Sequence, residues 1–150
     1  MGYMMKKYRT LLVPLLLIPQ VSFSQSIINN HEVDLCIQKY KDENSECLED
    51  ISDKSEEKLR EAYSAKLKEL ENFDYNQWWM GTREQKDNML TLFKKNQKNW
   101  LTWRYDYCGL ATTATQNTHG FANAITACTI NLNNQRMNEI RMIIPNPSEN

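Results

Sequence analysis

Apolar residues recur at helical spacing through most of the chain. From Asp42 onward, Leu48, Ile51, Leu59, Ala62 with Tyr63, Leu67 and Leu70 share one face, which predicts a first helix over residues 43–72. Asp42 or Asn44 is placed to cap its start, and acids crowd its first turns, where the positive end of the helix dipole stabilises each by about 0.3–1 kcal/mol. Residues 73–82, Phe-Asp-Tyr-Asn-Gln-Trp-Trp-Met-Gly-Thr, fit neither a helical nor a strand period and read as a loop or broken helix. A second helix is expected over 83–108, with Met89 or Leu90, Phe93, Gln97, Trp100, Arg104 and Tyr107 on one stripe. Residues 109–120, rich in threonine, glycine and asparagine, read as a loop. A third helix, 121–143, presents Phe121, Ile125, Cys128, Leu132, Arg136 and Ile140. With no strand-like alternation, the pattern predicts an all-α fold, a small antiparallel bundle of three main helices. The tail, Pro145-Asn146-Pro147-Ser148-Glu149-Asn150, cannot continue a helix and is expected to be flexible.

The N-terminal 24 residues break this pattern. They hold Lys6, Lys7 and Arg9 and no acid, then an apolar run from Leu11 to Ile18, then Ser22 and Ser24 around Phe23. Those are the three parts of a cleavable signal peptide. A run of about 8–11 apolar residues is far short of the roughly 20 that span a bilayer. The sequence therefore predicts an exported protein, periplasmic or secreted, whose mature domain covers 25–144 and carries no membrane anchor after cleavage.

Export gives the cysteines their meaning. Cys36, Cys47, Cys108 and Cys128 all fall after the signal, and an even count in an oxidising compartment implies two disulfides stapling the bundle. The order of pairing is not readable from spacing. An antiparallel hairpin, with the start of helix one beside the end of helix two, favours Cys47 with Cys108 and Cys36 with Cys128; pairing of sequence neighbours stays open. No C-x-x-C is present, and His31 and His119 are the only histidines, so neither a metal nor a cofactor is expected.

Charge narrows the partners. The chain has 18 basic and 19 acidic residues; three of the bases and none of the acids lie in the signal, leaving 15 against 19. Residues 31–74 concentrate 14 acids against 7 bases, so the domain lacks the dense basic stripe nucleic acid requires and would instead steer a basic partner. Catalysis has little to work with. Both histidines fall in expected loops, no glycine cluster could cradle phosphate, and most helix-one acids are i, i+3 or i, i+4 neighbours of Lys54, Lys58 and Arg60. The chain is not expected to be an enzyme.

Polar residues inside the apolar stripes stand out. Gln97 and Arg104 share a face with Phe93 and Trp100, and Arg136 shares one with Leu132 and Ile140. A lone buried charge costs several kcal/mol, so a structural network of Gln97, Trp100, Arg104 and Arg136 with acids on helix one, such as Glu61, is expected.

The same residues carry a resemblance. Cys36, Cys47, Tyr63 with Leu67 and Leu70, then Gln97-x-x-Trp100-x-x-x-Arg104-x-x-x-Cys108, Gly120, and Cys128-x-x-x-Leu132-x-x-x-Arg136-x-x-x-Ile140 resemble the N-terminal domain of the LprI-type lysozyme inhibitors, small exported bacterial proteins. The chain departs from that pattern at His119, where a second loop glycine is usual, at Asn133 in place of threonine and at Ile140 in place of leucine. It is also longer between Tyr63 and Gln97, with the surplus at 72–82. The resemblance implies an envelope protein and, as possible partner, lysozyme or another cell-wall hydrolase that it binds and blocks. A non-catalytic periplasmic interaction module with a different partner is the alternative. Phe73, Tyr75, Trp78 and Trp79 in the surplus segment are the candidate partner contacts, since aromatic side chains on a pre-organised loop supply binding energy efficiently.

Overall fold

The computed structural model describes residues 26–145, so the expected signal peptide (1–24) and all of the expected flexible tail except Pro145 lie outside the described residues. Four helices make up the described chain: α1 (His31–Tyr40), α2 (Ser45–Asn72), α3 (Arg83–Ala111) and α4 (Phe121–Arg141). No strand occurs among the described residues, and no helix there is long and apolar enough to cross a membrane. The three long helices match the expected ones closely. The additional one is α1, which turns the expected three-helix bundle into four helices. At ten residues it is too short for periodicity to reveal, and it starts at His31, a position expected to lie in a loop. Asn30 caps it, its Oδ1 accepting from the backbone N–H of Glu32 and Val33.

α2 runs up, α3 returns antiparallel to it, and α4 runs up again, parallel to α2. Three side-chain links mark the α2–α4 register. Asn44 Nδ2 donates to Asn123 Oδ1 at 2.8 Å, Asn133 Nδ2 donates to Ser55 Oγ at 3.0 Å, and Lys66 Nζ donates to the carbonyl of Ile143 at 2.9 Å. Asn44 is indeed the residue before α2, but its side chain reaches α4 instead of capping its own helix.

α4 is the hub. It buries nine residues, Ala124, Ala127, Cys128, Ile130, Leu132, Asn133, Arg136, Met137 and Ile140, more than one stripe can supply, because α2 covers one side and α3 another. Three buried clusters result. Val33, Cys36, Leu48, Ala127 and Ile130 join α1, α2 and α4; Cys108, Cys128 and Leu132 join α3 to α4; and Leu59, Leu70, Phe93, Met137 and Ile140 fill the far half. In that half Tyr63 stacks on Phe93 with ring centroids 5.0 Å apart. Each fully buried aliphatic side chain in these clusters stabilises by about 1.5–3 kcal/mol before chain entropy is set against it.

The disulfides pair sequence neighbours, Cys36 with Cys47 and Cys108 with Cys128, each with Cα atoms 5.7 Å apart. The pairing favoured by a two-helix hairpin, Cys36–Cys128 with Cys47–Cys108, is therefore wrong. That expectation lacked α1 and the position of α4. The chain reverses at Lys41, whose φ is 55°, and folds α1 back on the start of α2, bringing Cys36 to Cys47. α4 then lies against the end of α3, so Cys108 meets Cys128 there and not Cys47.

A polar seam and a braced aromatic tip

The polar residues of the stripes converge on one seam through the bundle. Arg136, 5% exposed, donates through Nε to Gln97 Oε1 at 2.9 Å, through one terminal nitrogen to Glu139 at 3.0 Å and through the other to Asn96 Oδ1. Arg104 donates to Glu56 Oε1 at 2.6 Å and also to Asn133 Oδ1. Fully buried Asn133 completes the seam by donating to Ser55 and, at 3.1 Å, to Glu56. The Trp100 ring lies between the two guanidiniums, 5.4 Å from that of Arg104 and 5.5 Å from that of Arg136, and its electron-rich face attracts both. Among the described residues no buried side-chain nitrogen or oxygen lacks a hydrogen-bond partner.

The acid that answers Arg104 lies on the expected helix but is Glu56, not the Glu61 given as its example. Glu61 is exposed on the outer side of α2, whereas the parallel α2–α4 register sets Glu56 level with Asn133 and Arg104. Arg136 uses no helix-one acid at all, because α3 covers its side of α4. Asn133 and Ser55 were missed by sequence reasoning. The signal for Asn133 was present as a second buried stripe on α4, Ala127, Ile130, Asn133 and Met137, beside the one that was traced.

The far end of the bundle is closed by residues 73–82. A single 3-10 turn, Tyr75–Gln77, forms there, with Asp74 Oδ1 accepting from the backbone N–H of Asn76. Lys86 Nζ donates to the carbonyls of Glu71 at 2.6 Å and Phe73 at 2.8 Å, satisfying the C-terminal end of α2 from the first turns of α3. Trp78 leans on Phe73, centroids 5.0 Å apart, and its indole N–H donates to the Pro145 carbonyl at 2.6 Å. Gly81 is required. A Cβ there would stand 1.9 Å from the Tyr75 carbonyl oxygen. Thr82 and Gln85 then form a reciprocal capping box that starts α3.

The four expected contact residues thus divide. Phe73, Tyr75 and Trp78 are half-buried and belong to the brace, while Trp79 is 91% exposed. Met80 beside it is 81% exposed with φ of 54°, a left-handed backbone that costs a non-glycine residue about 1–2 kcal/mol. The tip holds that conformation because both of its flanks are tied down. A second exposed aromatic row runs along α3, where Trp103 lies 5.0 Å from Tyr107 and 6.5 Å from Trp100.

Electrostatically, the outer side of α2 is acidic and only partly paired: Glu46, Glu49, Asp53, Glu57 and Glu61 make no ion pair among the described residues. Lys54 binds Asp50 at 2.6 Å, which raises the lysine pKa through that hydrogen bond. Glu69 meets Lys66 at 2.7 Å and Glu71 meets Lys94 at 3.5 Å, while the carboxylate of Asp74, within the tip segment, accepts only from Asn76. No group of three or more metal-ligating side chains occurs among the described residues.

Fold and site together define a small, disulfide-stapled helical domain organised around an internal polar seam. A family model described as Lysozyme inhibitor LprI matches residues 36–140, and the chain belongs to that family. The matched span begins at the first disulfide cysteine and ends at Ile140, taking in both bridges, the whole seam and the tip. No curated protein and no solved structure matches the chain significantly.

Proposed function

We propose that this protein acts outside the cytoplasm by docking on a peptidoglycan-cleaving enzyme of the lysozyme type and blocking it, without catalysis of its own. Membership of the lysozyme-inhibitor family over residues 36–140 carries the reading. The tip supports it. Trp79 and Met80 form an exposed apolar protrusion on a braced turn, so little conformational entropy is lost when they enter a concave cleft. The excess of acid over base in residues 31–74 favours a basic enzyme, chiefly by raising the association rate. The pairing of Glu69 and Glu71 with lysines makes this chiefly a property of the α1–α2 face, with Asp74 the one acid of the tip segment.

The test is lysozyme activity on peptidoglycan with purified wild type, Trp79→Ala and Trp78→Ala, each read beside its melting temperature. Wild type should inhibit, and Trp79→Ala should lose inhibition while melting within a few degrees of wild type. Trp78→Ala should lower the melting temperature, because it removes the tie to Pro145. Inhibition undiminished in Trp79→Ala would move the contact elsewhere. No inhibition by wild type would leave the second reading, an interaction module for another exported partner, which the exposed α3 row around Trp103 and Tyr107 favours.

A further inference from the structure

α2 and α3 touch little along their length because α4 is wedged behind them, and a groove of about 400 Å3 opens between them. Its floor is Leu59, Tyr63 and the stem of Gln97, and Leu101 closes one end. Three cations stand over it, Arg60 from α2 and Lys94 and Lys98 from α3. Its one acid, Glu56, is engaged by Arg104 at 2.6 Å. In a domain where acids outnumber bases, this groove is positive. Lys94 reaches Glu71 at 3.5 Å, while Arg60 and Lys98 make no ion pair among the described residues.

A second observation is independent of that charge. Gln97 is 7% exposed and lines the groove. Its Oε1 accepts from Arg136 Nε at 2.9 Å. Since an arginine can only donate, the oxygen must be the atom that faces it, which leaves the amide NH2 as the end free to turn elsewhere. That NH2 makes no hydrogen bond to protein among the described residues, and since no fully buried side-chain nitrogen there lacks a partner, it reaches solvent instead of being sealed in. A donor that opens on the groove, beneath unpaired cations and beside apolar carbon, is complementary to a carboxylate carried on an apolar body.

We propose that the α2–α3 groove is a binding site for a small amphipathic carboxylate. Its carboxylate accepts from the Gln97 NH2 and faces Arg60 and Lys98, and its apolar part covers Leu59, Tyr63 and Leu101. A volume of about 400 Å3 lies within the usual range of small-molecule sites. This site is separate from the tip and does not depend on what the tip contacts.

The probes are octanoate, octanol, octylamine and acetate, titrated into the full disulfide-bonded domain and followed by the side-chain NH2 resonances of Gln97 in a 15N-correlated NMR spectrum. Octanoate should shift the Gln97 pair and bind about tenfold more tightly than octanol, the difference one charge-assisted contact makes. Octylamine should not bind, because it would meet three cations, and acetate should bind weakly for want of an apolar body. Arg60→Gln with Lys98→Gln, both on exposed positions, should erase the preference for octanoate over octanol while leaving the rest of the spectrum unchanged. Equal affinity for octanoate and octanol, or an octanoate response at other residues with Gln97 silent, would overturn the proposal. If the double variant disturbed the spectrum broadly, Lys98→Gln alone should still reduce the octanoate preference, and its failure to do so would also overturn the proposal.

Discussion

The two ends of the bundle are held by different means. At the end where α2 and α4 begin and α3 stops, both disulfides lie close to two side-chain amide bridges, Asn30 to Asn131 and Asn44 to Asn123, each at 2.8 Å. At the other end no covalent link occurs among the described residues. The tip is held by a lysine on two carbonyls, one indole hydrogen bond and a glycine that lets the chain pass close to Tyr75. Cross-links act mainly by restricting the unfolded chain, whereas the braces act only in the folded state and only over one turn. The covalent end is therefore expected to dominate global stability, and the braced end to govern chiefly its own turn. Residues 72–82, the expected surplus over the pattern the chain resembles, lie at the braced end.

Reduction is the most severe way to break this contrast. Each bridge closes a loop of 11 or 20 residues and is expected to stabilise by about 3 kcal/mol, together about 6. That is comparable to the whole stability of a typical small domain. Denaturant titration by circular dichroism should show the reduced protein largely unfolded where the oxidised one is intact. An unchanged midpoint would mean that the stapled end is not the stabilising one.

The seam lies between the two ends and should respond next. Arg136→Ala strands the buried Gln97 oxygen, releases Asn96 and Glu139, empties a buried site and should cost about 3 kcal/mol. Arg104→Ala should cost nearer 2, because Glu56 keeps 37% of its side chain in water and can be resolvated, which leaves the buried Asn133 oxygen as the main stranded group. The ratio of the two denaturation midpoint shifts checks the ranking. If Arg104→Ala proved the costlier, the contacts of Arg104 with Glu56 and buried Asn133, and not those of Arg136, would dominate the seam.

Gly81→Ala addresses the braced end directly. The clash with the Tyr75 carbonyl should open the turn at a cost of about 2 kcal/mol. Hydrogen exchange should quicken at Trp78 and Gly81, whose amides donate to Tyr75 and Trp78, while amides near Cys108 and Cys128 stay protected. Exchange quickening equally at both ends would show that the ends are coupled. The smallest stability change belongs to Trp79→Ala, within about 0.5 kcal/mol, because so exposed a side chain packs against little. In that variant only inhibition should respond.

Much of this protein was legible in one dimension. Helical period placed the three long helices to within three residues at each end, since a helix half in water must alternate its faces at 3.6 residues. An even number of cysteines beyond an apparent export signal implied two bridges, and polar residues within apolar stripes marked the seam, because buried charge demands partners. Periodicity reports that a face is covered, however, and not by what. Only the tertiary structure decided the rest: the fold-back of α1 on α2 joins Cys36 to Cys47, and the packing of α4 against α2 and α3 joins Cys108 to Cys128, sets Glu56 rather than Glu61 against Arg104 and brings in Asn133. The short α1 and the groove beneath Arg60 and Lys98 were likewise invisible, the first because ten residues carry too few turns for a period, the second because a gap between two helices is written in neither of them.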